Sequence, residues 1–246
     1  MKNLLTLLYL IAFTWAGSSL YAQERDAPLA YQAYLKSSPT LWKAAVNEQQ
    51  QAFAQNASME NRYQLVLAQV GLLNSTMVKM DEDLFDQYLD QTEDNLKELT
   101  KHRTYRGEAK ALLASVYGLK MAYSPWKGIY LGSKSNSLLK EARQEAPNSP
   151  LVWKLYANSK LFTPETFGGS SQEAQKAYEK SVSLWERDSQ TTAQNWWYLD
   201  TLAWLGQTYQ KNGEPDQATA AYTKALAAEP EFTWVKQGLL PKLSQR

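Results

Sequence analysis

Between Leu199 and Phe232 the chain spaces its small and aromatic residues as a pair of tightly crossed antiparallel helices requires. Gly206 and Ala218 are small where the two helices would cross, which permits an interaxial distance near the low end of roughly 8–10 Å. Tyr209 and Tyr222 would fill the volume beside that contact. Gly213 supplies a turn, Ala225 leaves room for a following helix, and Pro230 ends the second helix. Elsewhere, from Pro28 to Arg246, apolar residues recur mostly at intervals of three and four, and alternating strand-like runs are scarce. Residues 81–99 show the pattern, with Leu84, Phe85, Tyr88, Leu89, Leu96 and Leu99 on one stripe and acids over most of the remainder.

Leu202, Leu205, Gly206, Tyr209, Gly213, Ala218, Tyr222, Ala225 and Pro230 fall at the signature spacings of the 34-residue tetratricopeptide repeat, which the stretch 199–232 resembles. Weaker units follow the same grammar. Leu67-Ala68 with Gly71 precede the 81–99 helix. Leu113-Ala114 and Tyr117 precede Leu138, Leu139, Ala142 and Pro147. Tyr156-Ala157 precede Ala174, Tyr178 and Ser181. Divergent repeats are therefore expected over about 58–100, 105–147 and 150–186. The resemblance implies an all-α, right-handed α-solenoid of antiparallel helix pairs. Because such repeats bury their apolar faces only against neighbours, 23–246 is expected to form one stack. Breaks at Ser37-Ser38-Pro39, Asn56-Ala57-Ser58, Asn74-Ser75-Thr76, Ser124-Pro125, Pro147-Asn148-Ser149-Pro150, Thr163-Pro164, Gly168-Gly169, Asn212-Gly213 and Glu229-Pro230 divide it into ten or eleven helices.

Composition removes several kinds of chemistry. The 246 residues contain no Cys and one His, His102, so thiolate sites, Cys nucleophiles and His-pair zinc sites are excluded. Lys+Arg 26 against Asp+Glu 25 gives no bulk attraction for nucleic acid or acidic membrane. Gly128 followed by Ser133-Lys134-Ser135 imitates a phosphate-binding loop, but its second glycine is missing and no strand precedes it. Ser133 or Ser135 is read instead as the N-cap of a helix running to Ala146. No catalytic constellation, metal site or cofactor site is found, and an enzyme is not expected.

The first 22 residues read as a secretory signal peptide. Lys2 precedes a 13-residue apolar run, Leu4–Ala16, and small residues follow it up to Ala22. The run is shorter than the roughly 18–20 residues that cross a bilayer. Cleavage near Ala22 would leave an exported chain with no integral span, periplasmic or secreted, with 25 basic and 25 acidic residues.

Two internal turns look enlarged, over 121–135 and 162–171, and insertions at equivalent places map to one face of a solenoid. Repeat proteins from the outer compartments of some bacteria carry similar S/N-P-x-K-G and P-E-x-F-G-G loops. Tyr123, Trp126, Lys127, Tyr130, Lys134, Glu165 and Phe167 are the binding candidates there; equally, Trp126, Tyr130 and Phe167 could be plugs that pin long turns to the stack. Trp196 and Asp200 stand four apart on one helix face and could look into the groove, or Trp196 could be core. The preferred expectation is a non-catalytic, extracytoplasmic scaffold whose concave groove takes a peptide or protein partner. The rival is a receptor for a small anionic or sugar-like ligand, with the two turns and Trp196 closing one pocket.

Overall fold

The computed structural model describes residues 27–243, so the signal peptide expected over 1–22 lies outside the described residues. Eleven α-helices follow one another, with no strand among the described residues. They are α1 (Leu29–Leu35), α2 (Pro39–Gln55), α3 (Met59–Thr76), α4 (Glu82–Leu99), α5 (Arg106–Tyr123) and α6 (Gly128–Glu145). Then come α7 (Pro150–Phe162), α8 (Ser171–Trp185), α9 (Trp196–Lys211), α10 (Pro215–Ala228) and α11 (Leu240–Leu243). Short 3-10 turns occupy Pro125–Lys127, Glu165–Phe167 and Ser189–Thr191, and a π-helical turn spans Trp234–Leu239.

Local chemistry sets the helix starts. Ser38, Ser58, Asp81, Ser149 and Ser170 each accept a hydrogen bond from the backbone N–H three residues on, and Asn195 caps the N–H groups of Trp197 and Tyr198. Such a cap satisfies a donor that has no partner within the helix. Pro39, Pro150 and Pro215 occupy first-turn positions, where the missing N–H costs nothing.

The helices pair as hairpins α3–α4, α5–α6, α7–α8 and α9–α10, and α5 against α7 and α8 against α9 join successive hairpins. Fully buried Leu65, Leu72, Leu96, Leu112, Tyr178, Leu199, Leu202 and Tyr222 belong to one apolar core running through the stack. The architecture is all-α and repeat-like, as expected. At the C-terminal crossing Gly206 makes room for the ring of Tyr222: a Cβ there would stand 2.2 Å from the ring. Gly206 therefore faces the aromatic partner directly, while Ala218 is buried on the same hairpin.

One expectation fails locally. The stretch 121–135 is mostly helix, not a long loop: α5 runs to Tyr123 and α6 already begins at Gly128. Neither Ser133 nor Ser135 caps it. Ser135 is buried, and its hydroxyl donates to the Ala114 carbonyl at 3.1 Å. A Cβ at Gly132 would meet open space, so it marks a half-buried helix position and not a turn.

Candidate functional site

Two surfaces carry the candidate residues. The first is the edge formed by the turns inside the hairpins. Val78 and Met80 lie between α3 and α4, Trp126 between α5 and α6, Ile129 and Tyr130 in the first turn of α6, Phe162 at the end of α7, and Phe167 between α7 and α8. These seven are the large apolar side chains left exposed among the described residues, with Trp126 at 65%, Ile129 at 89% and Phe167 at 76%. The hairpin ends are tied side by side. The Tyr123 hydroxyl donates to Thr76 Oγ1 at 2.8 Å, which joins α5 to α3, and Phe162 packs edge-on against Trp204 of α9 at 4.8 Å. Tyr123 also lies 4.6 Å from Phe85. It is a packing and hydrogen-bonding residue beneath the edge.

Trp126 and Tyr130 lean on each other with centroids 6.2 Å apart, and Lys127 Nζ stands 5.8 Å from the Trp126 ring. Lys134 is exposed on α6, 5.9 Å from the Tyr117 ring. In the next turn, Gly168 adopts φ +91° and Gly169 approaches the Thr163 carbonyl so closely that a Cβ would meet it at 1.8 Å. Lys160 Nζ donates to the Gly168 carbonyl at 3.0 Å and pairs with Glu173, whose carboxyl lies below its ordinary range because Lys160 and Tyr156 donate to it. These contacts hold the turn against α7 and α8, while Glu165 and Phe167 are exposed to solvent. Trp126, Tyr130 and Phe167 do not close a pocket. They form an open apolar edge, and the expected enclosed cavity between the two turns and Trp196 is not built.

The second surface is the side lined by the first helices of the hairpins. Trp196 and Asp200 face it, but both are buried, because α1 lies across α9 and α3. The Tyr34 hydroxyl donates to Asp200 Oδ1 at 2.9 Å, and Lys154 Nζ contacts Asp200 Oδ2 at 2.6 Å. Lys154 Nζ also stands 4.8 Å from the Trp197 ring. Tyr34 packs on Trp196 at 5.4 Å and on Phe232 at 5.5 Å, while Trp42 of α2 meets Trp196 edge-on and fills the space that Gly71 leaves. The Tyr31 hydroxyl donates to Glu229 Oε2 at 2.7 Å, just beyond α10. Burial, followed by the Asp200 carboxylate, holds the Tyr34 phenol well above the usual tyrosine range. The groove expected to receive a partner through Trp196 and Asp200 is therefore occupied by α1, the first helix among the described residues. Sequence reasoning missed Tyr31, Tyr34 and Lys154, because no local spacing links α1 to residues almost the whole chain away.

A cleft of about 250 Å³ lies beside this junction, lined by α1, α2, α3 and the start of α9; another of about 510 Å³ lies between α10 and the C-terminal segment. Among the described residues no group of three or more His, Asp or Glu could hold a metal ion, and no helix is long and apolar enough to cross a membrane. His102 is exposed, with its ring 5.4 Å from Tyr105.

Comparison with known proteins agrees with this architecture. A family model described as tetratricopeptide repeat matches residues 200–232. Among solved structures, the HusA haemophore from Porphyromonas gingivalis is similar in fold, with a TM-score of 0.56 and 19% identity over 78% of this chain and 93% of that one. TTC0263, a thermophilic TPR protein of Thermus thermophilus, gives a TM-score of 0.54 and 19% identity over 93% and 96%. No curated protein matches the chain in sequence. Residues 200–232 thus carry one tetratricopeptide repeat, set in an all-α stack of like hairpins with a tetratricopeptide-repeat-like fold.

Proposed function

We propose that this protein is a non-catalytic scaffold, working outside the cytoplasm, that holds a protein partner along the turn edge. One observation carries the reading: among the described residues, the exposed large apolar side chains are confined to the turns of three successive hairpins and the helix ends that adjoin them. Isolated apolar residues on a surface are ordinary, whereas a contiguous apolar patch marks an interaction site. Burying one such side chain is worth about 1.5–3 kcal/mol, so several together offset an association cost of about 4–15 kcal/mol. Lys127 and Lys134 add polar, cationic contacts at the rim, an arrangement usual for protein interfaces. The signal-peptide pattern of residues 1–22 supports the extracytoplasmic placement.

The test is a triple variant, Trp126→Ser, Ile129→Ser and Phe167→Ser. These side chains are exposed, so stability should change by less than about 0.5 kcal/mol per site. Copurification of the partner from the native envelope should be lost. Retained copurification would refute the edge as the binding face. A porphyrin titration of the same pair of proteins tests the rival small-ligand reading that the haemophore's name invites: saturable, edge-dependent binding would favour it.

A further inference from the structure

The groove side carries a separate inference, independent of the turn edge. Helix α1 has seven residues, fewer than two turns, and no side chain caps its start. A helix this short is not stable by itself in water, so its contacts with the groove hold it. It is joined to α2 through Ser37, a non-glycine residue with φ 46°, in the strained left-handed region. Its two tyrosines are three apart, on one face, and each phenol donates to a carboxylate from the far end of the stack: Tyr31 to Glu229 and Tyr34 to Asp200.

The socket is built so that the helix can leave without stranding a charge. Asp200 keeps Lys154 at 2.6 Å, Lys154 keeps the Trp197 ring, and Glu229 is only partly buried. Departure would, however, uncover Phe232 and Trp196, both buried at present. An empty socket is thus unfavourable, and a refilled one is not. The filler is also specified: a phenylalanine would occupy the same volume but leave both carboxylates without their phenol donors. Ala33, fully buried between the tyrosines' contacts, allows close approach of the helix backbone.

We propose that α1 is a releasable clasp. In cis it fills a docking site for a short helix with two tyrosines one turn apart, and a partner helix of that chemistry binds by taking its place. The test uses the full chain and a fluorescein-labelled peptide of residues 27–38. The Tyr31→Phe/Tyr34→Phe chain should expose its own 29–38 amides to hydrogen exchange at least tenfold faster than the wild type, with α3–α10 unchanged. It should bind the peptide at least tenfold more tightly than the wild-type chain does. A peptide with both tyrosines replaced by Phe should bind at least tenfold more weakly. Should the double variant fail to fold, Ala33→Glu places a charge at a fully buried position of α1, loosens the clasp without altering the socket, and carries the same comparison. Two results overturn the proposal: unchanged protection of 29–38 in the folded variant, or loss of that protection without any peptide binding.

Discussion

Asp200 shows how much a single residue's role depends on partners far along the chain. A buried carboxylate is costly unless it is paired and hydrogen-bonded. Asp200 has both, through Lys154 and through Tyr34, which stands 166 positions away. The four-residue spacing of Trp196 and Asp200 puts them on one face from sequence alone. Their cover could not be read, because nothing local to either residue encodes it. The buried and half-buried tyrosines give a testable consequence. Burial pushes the Tyr222 phenol up to about 12, and Tyr31, Tyr34, Tyr63, Tyr178, Tyr198 and Tyr209 shift in the same direction. The folded state holds these protons more tightly than the unfolded one, whose tyrosines titrate near 10. Stability should accordingly be independent of these groups below pH 10 and fall as pH rises from 10 to 12. Tyrosinate absorbance and helical circular dichroism should change together over that range. Full tyrosine ionisation near pH 10 with helicity intact would contradict the assigned burial.

Among the elements, the α9–α10 hairpin is the most legible. Gly206, Gly213, Ala218 and Tyr222 are close in sequence, and each is needed for a contact within one hairpin. Gly206→Ala should drive a methyl group into the Tyr222 ring and cost about 1–3 kcal/mol, as overpacking does. Urea unfolding measures it, and an unchanged midpoint would refute the helix register. The start of α6 misleads for an equally physical reason. Gly128, Gly132 and three serines between 133 and 137 have the composition of a loop. The helix forms because Leu131, Ser135, Leu139 and Ala142 are buried along one side, a face that supplies packing where propensity is poor. Ser135 serves there as a small buried residue, donating to Ala114, and its polarity disguises that role. In contrast, the turn at 163–170 keeps its irregular backbone, because Gly168 takes a left-handed φ and Gly169 leaves no room for a side chain.

For the molecule as a whole, two faces of the stack do different things. The side lined by the first helices is closed by α1, which spans from α3 to α9 and reaches Glu229. The turn edge stays open and apolar. The repeat architecture is legible because it arises from periodic, local packing; the closure is not, because it joins segments with no common periodicity. The candidates along the edge are legible as aromatic residues in turns, and only their exposure separates a binding role from a plugging one. The most direct measurement places a photo-crosslinking amino acid at Ile129, at Phe167, or at Lys140 on the outer surface of α6, in the full chain expressed in its native host. Binding along the edge predicts one shared adduct from positions 129 and 167 and none from 140. Adducts from 140 alone, or different partners at 129 and 167, would contradict it.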